Sequence, residues 1–235
     1  MRRSKFILIV MIIIVMIGGC GCMDNKGERE IEEITEFLNA KYDDNFYFSD
    51  VLAGDFSDEY PEYYFTSDLY PDRGIWVTKG DTGDIYDNYL AIKYDDQVQE
   101  LKEKCMKEAF PNQRMFIREG DNISRTEIEG GNKNTTFEDY VSRKEAILFL
   151  CAYVDVSDYD FDKKEVEEQL ESTFSRNGIC LECFEIYFYD NAEQFDLILC
   201  SSNELDKSIF REDYMNMLVG RMESDLSLPY VKWEK

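Results

Sequence analysis

Ala146-Ile147-Leu148-Phe149-Leu150-Cys151-Ala152-Tyr153-Val154 is the longest apolar run outside the amino terminus. Nine such positions without a polar break fit a central strand buried on both faces better than a helix, which would need more length. Downstream, Asp162 with Glu165 three residues on predicts a capped helix whose Val166, Leu170 and Phe174 share one face, and Gly178 suits its end. Two strands are then predicted over Ile179–Tyr189 and Phe195–Cys200, joined by 190–194. A helix carrying Phe210, Tyr214, Leu218 and Met222 follows, and a last strand includes Tyr230 and Trp233.

Upstream, Ile31, Ile34, Leu38 and Tyr42 form the apolar stripe of a helix over Glu28 to Tyr42. Short aromatic strands are predicted at Phe46–Leu52, Tyr63–Ser67, Gly74–Thr78 and Ile85–Tyr94, with Gly80-Asp81-Thr82-Gly83 as a hairpin turn. Asp96 is expected to cap a second helix with Val98, Leu101, Cys105 and Ala109 on one face, ended by Pro111, and Arg114 to Arg118 reads as a strand. Helices interspersed with hairpins, without strict βαβ alternation, give an α+β fold: a mostly antiparallel sheet with four helices in two layers. Residues 28–235 read as one such domain, because each half alone is small for a stable core. The glycine- and asparagine-rich stretch 119–136 is where an internal boundary would fall.

The 235 residues carry 50 acids against 26 bases, a net charge of -24, and 14% aromatic residues. That aromatic content belongs to a chain with a core, and that charge argues against nucleic acid as a partner. With no histidine, Ser-His-Asp, Cys-His and histidine-ligated metal mechanisms are excluded, and no cofactor is implied.

The amino terminus has a distinct character. Arg2, Arg3 and Lys5 precede an apolar run from Phe6 to Ile17, followed by Gly18-Gly19-Cys20. A basic region, a short apolar run and small residues describe a signal peptide, and the run falls short of the ~20 residues a membrane span needs. Ile17-Gly18-Gly19-Cys20 resembles the lipobox of bacterial lipoproteins. The resemblance implies that residues 1–19 are removed and that the Cys20 thiol carries a diacylglyceryl group, with 20–27 as a short linker. The expected location is the outer face of the cell membrane, where several acyl chains give stable anchoring.

Four constellations are candidates for chemistry. The tract Tyr60 to Phe65, with Tyr63 and Tyr64, and with Tyr70 and Trp76 nearby, is a candidate aromatic platform beside carboxylates, suited to a sugar-like or cationic ligand. Half-buried cross-strand partners are the plainer reading of the same rings. Asp158, Asp160 and Asp162, following Asp155, could offer oxygens to Ca²⁺, although EF-hand spacing fails at Lys163 and Gln169; a solvated strand exit and helix cap is the alternative. Asp81-Thr82-Gly83 is the aspartic-protease triplet, but it occurs once and reads as a turn. Cys180 and Cys183 lack the further ligands of a zinc site, and a Cys183–Cys200 bridge would need a hairpin that sets them opposite each other.

The helix Ile31-Glu32-Glu33-Ile34-Thr35-Glu36-Phe37-Leu38 running into Lys41-Tyr42, the Asp87-Asn88-Tyr89 strand before a helix, and Phe210-Arg211-Glu212-Asp213-Tyr214 resemble small lipoproteins of Clostridia and related Gram-positive bacteria. That resemblance implies location and fold and lends no catalytic residues. The expectation is a non-enzymatic, membrane-anchored binding protein whose partner is an envelope protein or a cationic or sugar-like ligand. A carboxylate-dependent envelope glycan hydrolase and an accessory subunit of a membrane complex are the alternatives.

Overall fold

The computed structural model describes residues 25–52, 61–118, 130–160, 162–201, 216–222 and 230–234. Cys20 and the leader lie outside them, as do Phe210 and Tyr214. Two sheets carry the fold. The first runs in sequence order through β1 (Phe46–Leu52), β2 (Glu62–Ser67), β3 (Ile75–Lys79) and β4 (Ile85–Asp87), antiparallel throughout. The second contains β5 (Met115–Ile117), β6 (Leu148–Asp155), β7 (Leu181–Tyr189), β8 (Asn216–Arg221) and β9 (Tyr230–Glu234) in that order, with β6 and β7 the one parallel pair. The helices are α1 (Asn25–Lys41), α2 (Tyr89–Ala109), the short α3 (Phe137–Val141), α4 (Lys163–Asn177) and α5 (Ala192–Ser201). This is the α+β class the sequence predicts, with its strands divided between two sheets.

Period-two alternation sets the faces of the apolar run. Leu148, Leu150, Ala152 and Val154 join the main core, whereas Cys151 and Tyr153 belong to a second cluster on the opposite face of the sheet. The strand starts at Leu148, later than the run suggests, because a 3-10 turn over Lys144–Ala146 ends in Ile147 at φ 45°. A left-handed conformation is costly for a β-branched residue and breaks the extended chain there. The parallel β6–β7 pairing requires a crossover, and α4 supplies it. Asp162 Oδ1 accepts from Glu165 N at 2.9 Å and Gly178 closes the helix at φ 67°, both as the sequence predicts.

Helix α2 links the two sheets. Its buried face carries Val98, Cys105 and Met106, and Phe110, just beyond its end, meets Phe188 of the second sheet at 5.8 Å. Phe174 of α4 meets Phe184 at 5.9 Å on the same side. One cluster of buried side chains thus runs from Ile34 on α1 to Leu218 on β8.

Four expectations are corrected. The strand predicted over Ile85–Tyr94 ends at Asp87, and α2 begins at Tyr89 with Asn88 at its N-cap, so Asp96 lies inside the helix. The strand predicted over Phe195–Cys200 is helix α5, because Asn191 Oδ1 accepts from Glu193 N at 2.9 Å and from Gln194 N at 3.4 Å. Leu218 lies on strand β8 with Met222 just beyond its end, not on a helix. The expectation of an internal boundary at 119–136 is not among these: residues 119–129 lie outside the described residues, and Thr136 caps α3, its side chain accepting from Asp139 N.

Candidate functional site

On β2 the side chains alternate, with Tyr63, Phe65 and Ser67 buried and Glu62, Tyr64 and Thr66 facing out. The register sets Tyr64 opposite Trp76, Thr66 opposite Tyr47, and Thr78 between Glu62 and Tyr86. The open face of the first sheet therefore gathers four rings, Tyr47, Tyr64, Trp76 and Tyr86, with Tyr47 53% and Tyr86 40% exposed. Asp50 stands beside Tyr64 beyond a bulge in β1, so carboxylates border the rings on two sides.

Of the predicted platform residues, Tyr64 and Trp76 are brought together and Tyr63 is not. Tyr63 points into the core at 3% exposure. Burial, then a hydrogen bond to Glu30, pushes its phenol well above the ordinary tyrosine value. Neighbouring residues on a strand face opposite ways, which separates Tyr63 from Tyr64. Tyr47 and Tyr86 were not anticipated, although the alternation of Phe46 and Phe48 around Tyr47, and of Ile85 and Asp87 around Tyr86, carries the signal.

The rings are held from below. Tyr64 donates to Glu62 Oε2 at 3.1 Å and Tyr47 to Asp68 Oδ1 at 3.0 Å. Trp76 is fixed through its backbone, its N donating to Asn88 Oδ1 at 2.8 Å and its O accepting from Asn88 N at 3.2 Å. Asn88 in turn follows Asp87, whose fully buried carboxylate takes Lys41 Nζ at 2.8 Å on Oδ2, and Tyr42 OH at 2.9 Å and Tyr89 N at 3.0 Å on Oδ1. Lys41-Tyr42 and Asp87-Asn88-Tyr89, quoted above from distant parts of the sequence, meet at one buried ion pair. The indole N–H of Trp76 is buried and has no acceptor among the described residues. Chemically the face offers stacking area bordered by acceptor oxygens, which suits hydroxylated rings or ammonium groups.

The other candidates resolve differently. Asp162 is occupied as the α4 cap and Asp155 pairs with Arg114 at 2.6 Å, while Asp158 and Asp160 are exposed on the turn between them. Among the described residues no three Cys, Asp or Glu side chains, Asp158, Asp160 and Asp162 included, form a group that could hold a metal ion. Asp81-Thr82-Gly83 is the β3–β4 turn, with Gly80 N donating to Asp84 O at 2.9 Å and Gly83 at φ 88°. Cys105, Cys151, Cys180 and Cys183 are not in disulfides. The Cys183–Cys200 bridge loses its basis, since Cys200 lies on α5 and the hairpin does not exist. Burial pushes the Cys105 thiol up to about 12, which makes it an inert core residue.

No protein-family model and no curated protein matches the sequence. Among solved structures, the chain aligns with a DUF5037 family protein from Ruminococcus gnavus ATCC 29149 at 16% identity and a TM-score of 0.39, over 87% of this chain and 94% of that one. That distant neighbour comes from a Clostridia-related bacterium; a likeness of this degree carries no argument about function.

Proposed function

We propose that the chain is a lipid-anchored, extracytoplasmic binding protein, non-enzymatic, that presents the aromatic face of its first sheet to a sugar-like or cationic ligand of the cell envelope. The observation that carries this reading is Ile17-Gly18-Gly19-Cys20 behind a basic and then apolar leader, which supports acylation of Cys20 at the outer leaflet. None of the described helices is long and apolar enough to cross a membrane. The Tyr64–Trp76 pair beside Glu62 supports the binding half. A surface this acidic gains no hold on anionic lipid headgroups and favours ligands that carry positive charge or many hydroxyls.

The test is retention of the soluble fragment 23–235 on purified cell-wall glycan. Retention without turnover is expected, with Trp76→Ala and Tyr64→Ala each weakening it roughly fivefold, about 1 kcal/mol per ring. Release of reducing ends that disappears on mutating one carboxylate would establish the hydrolase alternative. No retention, with a single dominant protein partner on crosslinking in whole cells, would establish the accessory-subunit alternative.

A further inference from the structure

The rings on the open face of the first sheet fall on one line. Tyr47 of β1 stands opposite Thr66 of β2, Tyr64 of β2 opposite Trp76 of β3, and Thr78 of β3 opposite Tyr86 of β4. Because the strands are antiparallel, the step from Thr66 to Tyr64 and the step from Trp76 to Thr78 run the same way along the sheet. The rings therefore cross all four strands of the sheet as a diagonal stripe, about 20 Å from Tyr47 to Tyr86 by strand and residue spacings. Its two ends are its most exposed rings, Tyr47 and Tyr86, while Tyr64 and Trp76 between them are half-buried. A compact ligand covers one or two of these rings; a stripe open at both ends matches a chain of linked rings.

Charge selects among such chains. Lys79 is the only base in β1 to β4, and it reaches Glu33 of α1 at 2.7 Å. Asp68, at the Tyr47 end, is held by neutral donors, Asn45 Nδ2 at 2.7 Å and Tyr47 OH at 3.0 Å. Asp50, opposite Tyr64, takes Val51 N at 2.8 Å. Among the described residues neither carboxylate meets a Lys or Arg, so the border of the stripe keeps its negative charge. A polyanionic chain would be repelled there, and a neutral one would stack without answering the charge. We infer that this stripe, within the binding role proposed above, takes a linear glycan of amino sugars whose nitrogens are unacetylated. Its sugar rings lie in sequence on Tyr47, Tyr64, Trp76 and Tyr86, and its ammonium groups turn toward Asp50 and Asp68.

Calorimetric titration of the intact chain in detergent with glucosamine oligomers tests this. The hexamer is expected to bind at least about tenfold more tightly than the dimer, a comparison that needs no variant to fold. It should also bind at least about tenfold more tightly than the fully N-acetylated hexamer, which keeps the rings and loses the charge. Tyr47→Ala and Tyr86→Ala, at exposed positions, are each expected to weaken the hexamer about fivefold and to leave the dimer unchanged. Equal affinity for dimer and hexamer would overturn the stripe, and equal affinity for the two hexamers would overturn the charge pairing. Either result, beside retention on cell-wall glycan, sinks the amino-sugar assignment and leaves the broader binding role standing. No saturable heat with any oligomer, together with no retention, removes both.

Discussion

Replacing Asp87 by alanine would remove the group on which the platform's supports converge. Its side chain is fully buried and Lys41 is 10% exposed, so the ammonium would stay buried after losing the Asp87 carboxylate. Tyr42 OH and Tyr89 N would lose their acceptor in the same step. Breaking a buried pair from one side costs about 3–5 kcal/mol, much of it the penalty of the charge left behind. Adding three charge-assisted bonds separately would overshoot, because the partners share one carboxylate. We expect about 4 kcal/mol for Asp87→Ala. Asp87→Asn keeps Oδ1 for Tyr42 and Tyr89 but gives up the charge, and about half that loss is expected. Urea unfolding followed by tryptophan fluorescence reads the difference: with a slope near 2–3 kcal/mol/M, the midpoint should fall by roughly 1.5 M for Asp87→Ala. Lys41→Met combined with Asp87→Leu should recover much of the loss, since an apolar pair leaves no buried charge. A midpoint shift below about 0.3 M for Asp87→Ala, under 1 kcal/mol on the same slope, would refute the reasoning.

Three further perturbations probe other parts of the fold. A Cβ at Gly220 would lie 2.1 Å from Phe184 Cζ and 2.6 Å from Cε1, against a fully buried ring, so Gly220→Ala should cost about 2–3 kcal/mol in urea unfolding, and adding Phe184→Leu should restore part of it. Burial alone would raise the Asp155 carboxyl, but Ser157 and Arg114 outweigh it and hold the group below the usual range. Its stabilisation is therefore complete above the unfolded value of about 3.9 and lost as pH falls through the lower folded value, so Asp155→Asn should flatten the acid limb of a stability-pH profile below about pH 4. Burial, aided by Asp44 at Tyr89 and Cys151 at Tyr153, raises the phenols of Tyr63, Tyr89, Tyr140 and Tyr153. Because the fold keeps them neutral, their contribution is complete below about pH 10 and lost above it, and ultraviolet titration should show them ionising only together with loss of circular dichroism.

Strong alternation was readable from the chain. Phe46–Leu52 is the predicted strand residue for residue, and Tyr64 with Trp76 share a face as the tract suggested. Short apolar runs were not, because six residues such as Phe195–Cys200 fit either period. The deciding signal was a single cap, Asn191, inside a stretch read as a turn. Asn88 hid the start of α2 for a different reason. Its side chain makes no cap hydrogen bond and goes to Trp76 N across the sheet, a long-range use that local pattern does not reveal. The same holds for Asp87, which looks like one acid among fifty until Lys41 is folded against it.

The attachment at Cys20 is the claim on which the proposed role depends. Mass spectrometry of the amino-terminal peptide, taken from the chain extracted out of the membranes of cells that produce it, measures it directly. The account predicts a peptide that begins at Cys20 and carries a diacylglyceryl group on its sulfur. A peptide that retains Met1, with Cys20 as an unmodified thiol, would contradict it.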